Sequence, residues 1–262
     1  MKKVAWMLLD AGYWMLDTGR VMRKVFIALV VLSSVSVLPA MAQSRSEQAL
    51  YEMLTTNESH SVSLAAVGKV VTNSDGLSAA ILYTAAGVAF REKRLEDAGF
   101  LFYAAQLRAR FDRALFLPIG TGGDNPMLAL GALQQQLGQV INPAVMRQPK
   151  AYASIVERLR SWKPKATRDY EPGWEYAKRR TEKEAEQDVA GDRQKFVGHM
   201  VGLSALLLDT NYFKAFQTVQ AYNLSSSRSN NRPSKDAYES AVLTIKRVEK
   251  DKGIEAVGAV LK

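Results

Sequence analysis

The chain has no cysteine in 262 residues. That removes thiolate nucleophiles, disulfides, thiolate zinc sites and cysteine-bound iron–sulfur clusters together. Histidine is nearly absent as well: His60 and His199 are the only two. A serine nucleophile would therefore have to use one of them as its base. There is no Gly-x-Ser-x-Gly elbow and no Gly-Lys-Ser/Thr phosphate loop. Glycoside cleavage needs only carboxylates, so composition leaves it open.

Long apolar runs are equally scarce. The principal one, Val25–Leu38, VFIALVVLSSVSVL, is shorter than the roughly 20 residues of a membrane span. Arg20, Arg23 and Lys24 precede it, and Pro39-Ala40-Met41-Ala42 follows with the small-x-small pattern of a signal-peptidase site. The expected reading of residues 1–42 is a targeting segment. Its signal peptide would run from Met22 to Ala42, and the mature chain would start at Gln43. Asp10 and Asp17 are costly in a segment entering a bilayer, so Met22 is the expected start of translation. The expected destination is the periplasm or the exterior.

Residues 1–42 hold five of the 35 basic residues and two of the 26 acidic ones, so the remainder carries +6 rather than +9. Those charges are interspersed, as on a solvated surface, rather than gathered into a nucleic-acid footprint. About 220 residues are enough for one self-sufficient core without disulfides.

The periodicities after Gln43 predict an all-α protein, an irregular helical bundle. Residues 43–224 form the expected helical domain, 225–234 a linker (SSSRSNNRPS) and 235–262 a C-terminal helical appendage. Ser46–Thr55 has helical spacing. Ser61–Val71, SVSLAAVGKVV, is where a minor strand competes with helix, because alternation is partial and Gly68 interrupts it.

Gly76–Arg113 is the densest run of small and aromatic residues in this part of the chain. Ser74 or Asp75 is the expected cap of its first helix, and Leu95–Phe111 its second helix, with Arg91–Arg94 as the turn. Gly87, Phe90, Ala98, Phe102 and Ala105 resemble the small–aromatic–alanine pattern of a single tetratricopeptide or Sel1-like hairpin. The resemblance covers about 35 residues and implies close-packed paired helices. The turn is one residue shorter than in that family, and Arg94 stands where a turn glycine is usual. FLFYAAQLRARFD is also similar to a stretch in a group of exported bacterial proteins.

Beyond the hairpin, Gly120–Asn125 is a glycine-rich loop before a helix beginning at Pro126. An anion cradle and a plain Asn125 cap compete for it, and the missing Lys-Ser/Thr favours the cap. Met127–Leu137 is the next expected helix, broken at Asn142-Pro143. Tyr152, Ile155, Val156, Leu159 and Trp162 form another amphipathic helix, stopped by Lys163-Pro164. Thr167–Trp174 reads as a turn docked by Tyr170 and Trp174. Glu175–Asp188 reads as an exposed, charge-paired helix, with Asp192 capping a further helix, Arg193–Leu208. His199 and Asp209 lie almost three turns apart, so they do not meet on one helix. Asn211–Tyr222 and Lys235–Lys252 complete the helical periodicity, with Gly253 as a C-terminal stop and Ile254–Leu261 as a last short helix.

Three functions follow as expectations. The first is a non-catalytic exported protein that binds a protein partner in the cell envelope, of the immunity or inhibitor type. The second is an envelope hydrolase, and the third a binder of small molecules or lipids between helices. No residue is assigned to catalysis, a cofactor or a metal. Nucleic acid is not an expected partner, and the membrane is met only through the targeting segment. Aromatics and arginine dominate interfaces, so Tyr103, Arg108, Arg110 and Arg113 at the basic end of the hairpin are the candidate contact residues. Phe90 and Phe102 are assigned to the hairpin's own core.

Overall fold

Small side chains allow helix axes to approach closely, and the stretch from Ala79 to Leu115 is rich in alanine and glycine. The computed structural model describes residues 45–56, 60–119, 126–225 and 231–257. Among them are nine α-helices and two short strands: α1 (Arg45–Thr55), α2 (His60–Thr72), α3 (Ala79–Arg91), α4 (Leu95–Leu115), β1 (Phe116–Pro118), α5 (Pro126–Met146), α6 (Pro149–Ser161), β2 (Tyr176–Arg179), α7 (Glu182–Leu207), α8 (Thr210–Leu224) and α9 (Lys235–Lys252). The protein is an all-α bundle with a minor two-stranded sheet. Residues 1–42, the loop 120–125 and linker residues 226–230 lie outside the described residues, and with them the targeting segment and the glycine-rich loop.

α4 is the central element. It packs against α3, α5, α6 and α7, and its buried residues run from Ala98 to Leu115. Gly99 explains part of this. A methyl group there would sit 2.5 Å from Ile155 Cδ1 and 3.0 Å from Val145 Cγ1, so α5 and α6 close on α4 where it lacks a side chain. α3 is capped by Ser78, whose hydroxyl accepts from the Ile81 N–H at 3.5 Å. Ser74 and Asp75, the expected caps, belong to a 3-10 turn instead. In the short α3–α4 connection Lys93 takes a φ of +60°, a left-handed conformation that glycine adopts at less cost.

Several expectations are corrected by packing. Residues 61–71 are helical, not extended: α2 buries Ala66, Val67 and Val70, a helical stripe that outweighs the interruption at Gly68. The strands lie elsewhere. β1 pairs antiparallel with β2, Phe116 opposite Arg179 and Pro118 opposite Tyr176, with an irregularity at Leu117/Pro118. The charged stretch 175–188 is thus strand first and helix only from Glu182. Its helix starts with a capping box: the Thr181 N–H donates to Glu184 Oε2 (2.8 Å), and the Glu184 N–H donates to Thr181 Oγ1 (3.3 Å). Asp192 then sits exposed in the middle of α7 rather than at a helix start.

Pro143 does not break α5. Ile141 and Val145 on either side of it are fully buried, and the Asn142 side-chain Oδ1 accepts from the Tyr103 hydroxyl at 2.9 Å. Those contacts offset the backbone bond that proline removes. α6 matches its periodicity, with Tyr152, Ile155, Val156 and Leu159 all buried.

The C-terminal helix folds back onto the body. The Tyr212 hydroxyl of α8 donates to Glu249 Oε1 of α9 at 2.9 Å, and the Tyr222 and Tyr238 rings stack at 4.4 Å. Ala241, Val242 and Ile245 share one core cluster with α3 and α4. Gly253 ends α9 in the left-handed conformation, φ +63°. Residues 254–257 are not helical, and the rest of the expected last helix lies outside the described residues.

Candidate binding cleft

The basic end of α4, LRARFDR, sends successive arginines to different surroundings because each residue turns the helix by about 100°. Tyr103 and Arg108, both expected to face a partner, are interior. Tyr103 is 6% exposed and its hydroxyl is spent on Asn142; burial pushes its phenol up. Arg108 has no solvent exposure at all. Four helices pack against α4, and Tyr103 and Arg108 lie on its covered side.

Arg108 is a brace. Its Nε lies 2.8 Å from Asp112 Oδ1, and its Nη1 donates to the carbonyls of Asp75 (3.0 Å) and Lys165 (2.7 Å). The Tyr170 ring stacks 3.9 Å from the guanidinium carbon, while the Tyr170 hydroxyl donates to Asp112 Oδ2 at 2.7 Å. Burial pushes the Asp112 carboxyl up, against the pull of Arg108 and Tyr170. This arrangement ties α4 to the 3-10 turn and to the segment after α6.

The other two arginines differ. Arg113 is exposed and Arg110 half-buried, with the Arg110 guanidinium carbon 4.7 Å from the Phe196 ring centroid of α7. Arg110 lines a cleft of about 200 Å³ between α4, the chain leaving α6, and α7. Leu107, Phe111, Pro164 and Val189 give it an apolar wall. Lys163 and Arg193 add two further cations, and Glu186 is the one carboxylate of the lining.

Arg193 is fixed by the end of α6. Its Nη2 donates to the carbonyls of Leu159 (3.2 Å), Arg160 (3.1 Å) and Trp162 (2.7 Å), groups that the helix leaves without internal partners. Its Nε is buried and has no acceptor among the described residues. Lys163 and Arg193 carried no signal in the sequence: one reads as part of a helix stop, the other as a helix start. Only the packing of α6 against α7 brings them beside Arg110.

The two histidines stay apart from this cleft. His60 Nδ1 is 2.6 Å from Glu92 Oε2 at the surface. His199 is half-buried on α7, and burial lowers its pKa while Glu249 pulls the other way. Asp209 caps α8, accepting from the Asn211 and Tyr212 N–H groups at 3.0 Å each. Among the described residues no group of three or more His, Asp or Glu is placed to hold a metal ion, and no helix is long and apolar enough to cross a membrane. No protein-family model, curated protein or solved structure matches this chain.

Proposed function

We propose that this protein is an exported, non-catalytic binding protein whose site is the cleft between α4, the end of α6 and α7. The observation that carries the reading is the convergence of Arg110, Lys163 and Arg193, from three separate elements, beside an apolar wall. Small-molecule sites have this character: concave, mostly apolar, with a few placed polar groups. Rigid helices frame it, so little ordering cost falls on binding. Ligand binding between helices takes precedence over a protein interface on the hairpin because Tyr103 and Arg108 belong to the core.

The test is a titration with 1-octanol followed by methyl NMR. The signals of Leu107 and Val189 are expected to shift. Ala190→Trp, which fills the cleft from an exposed lining position, is expected to remove those shifts while leaving the circular dichroism unchanged. Shifts located elsewhere, or unaltered by the filling variant, would reject the cleft as the site.

A further inference from the structure

We propose that the outer face of α9, around Leu243, is a docking surface for a membrane of anionic phospholipid. The proposal is independent of the cleft. α9 already spends its apolar stripe on the body, where Ala241, Val242 and Ile245 are buried. Leu243 points away from that stripe. It is 69% exposed, the most exposed large apolar side chain among the described residues.

Three cations stand around it. Lys246, Arg247 and Lys250 follow Leu243 by three, four and seven positions and are all exposed. At about 100° per residue the four side chains share roughly a third of the helix circumference, over about 10 Å of its axis. Among the described residues the ion pairs of α9 are Lys235 with Glu239 and Lys252 with Asp209. Lys246, Arg247 and Lys250 enter neither pair.

For the helix alone this grouping is unfavourable. Lys250 repels Lys246 at i,i+4 and Arg247 at i,i+3, and like charges at these spacings destabilise a helix. The helix C-terminus compensates Lys250, which lies in the last turn, more than the two cations further in. A surface of negative charge answers all three.

Shape selects the partner. A convex helix face offers no concavity to a small ligand, but Leu243 and the three cations can meet a plane together. An anionic bilayer supplies both chemistries. Leu243 enters beneath the headgroups, while the lysine and arginine stems lie along the apolar boundary with their charges among the phosphates. Asp236 and Glu239 occupy the same face upstream and Asp251 its edge, all exposed, so contact is made by the C-terminal half of α9.

Because the chain has no cysteine, one introduced thiol can report on this face. Ser240→Cys, an exposed position one turn before Leu243, carries a nitrobenzoxadiazole label on the full chain. Gln135→Cys, exposed on α5, carries the control label. A local label separates this face from any contact made by residues 1–42. Vesicles of equal phosphatidylglycerol and phosphatidylcholine are expected to brighten the Ser240 label and leave the control unchanged. Phosphatidylcholine alone is expected to change neither, and about 0.5 M salt to abolish the response. Lys246→Glu combined with Arg247→Glu is expected to raise the lipid concentration needed by at least about tenfold. Leu243→Ser is expected to raise it about fivefold. All three positions are exposed, so the circular dichroism is expected to be unchanged.

A Ser240 label that stays dark with anionic vesicles, or brightens equally with phosphatidylcholine, would overturn the proposal. So would a response indifferent to both the charge reversal and Leu243→Ser. A label dark with vesicles but responsive to poly-L-glutamate would also overturn it, since the face would then fit an acidic protein.

Discussion

Arg108 Nε and Asp112 Oδ1 meet at 2.8 Å with side-chain exposures of 0% and 1%, one helical turn apart on α4. An ion pair removed from water this completely costs desolvation for both charges, so its worth depends on every lone pair and proton finding a partner. The Asp75 and Lys165 carbonyls accept from Arg108 Nη1 and the Tyr170 hydroxyl donates to Asp112 Oδ2, while Arg108 Nη2 is buried with no acceptor among the described residues. Asp112→Asn leaves a buried guanidinium facing a neutral amide, and a loss of about 3–5 kcal/mol is expected in urea unfolding. In a cycle with Arg108→Met, the double variant is expected to fall short of the summed single losses by at least about 1 kcal/mol. Strict additivity would show that the two side chains do not act as a unit.

His199 makes stability depend on pH. Its folded pKa is lowered from 6.5 by burial, with Glu249 of α9 pulling it back up. Between the folded value and 6.5 the unfolded chain binds more protons than the native one, so stability rises with pH across that window. The His199 contribution is complete above the unfolded value and is lost as pH falls to the folded one. Urea midpoints at about pH 7.5 and about pH 5.5 are expected to differ more in the wild type than in His199→Gln, because only the wild type carries this titration. Parallel pH profiles would remove His199 as the cause.

Two helical glycines are expected to respond in opposite directions. Gly131 on α5 is exposed with open space around its Cβ position, so Gly131→Ala is expected to gain about 0.5–1 kcal/mol from helix propensity. Gly99 faces Ile155 and Val145 at contact distances that leave no room. Gly99→Val is expected to lose about 1–3 kcal/mol through overpacking. Thermal melts of the two variants check both signs. A stabilised Gly99→Val would mean that α4, α5 and α6 yield readily at this crossing.

The helices were legible where a local period was enough. α6 and α9 carry apolar residues at three- and four-residue spacing, and each buries that stripe; the Gly253 stop is a property of one residue and its φ. The α2 segment was ambiguous because Gly68 weakens both patterns equally. Pro143 and Asp192 were read by local rules as a break and a cap. Neighbouring helices overruled both, since burying Ile141 and Val145, and the unbroken run of α7, required continuity.

Sequence alone determined the all-α class, most helix positions and the exclusion of cysteine chemistry, because these follow from composition and short-range periodicity. It gave no indication of the sheet, whose two strands of three and four residues pair across the chain through α5 and α6. Nor did it separate Arg108 from Arg110 and Arg113. The three share a helix end and a charge, yet one is sealed in the core, one lines a cleft and one faces water. Tertiary structure made that distinction because burial of a charge depends on what packs over it, and for Arg108 those groups come from Asp75, Lys165 and Tyr170, all remote in the chain.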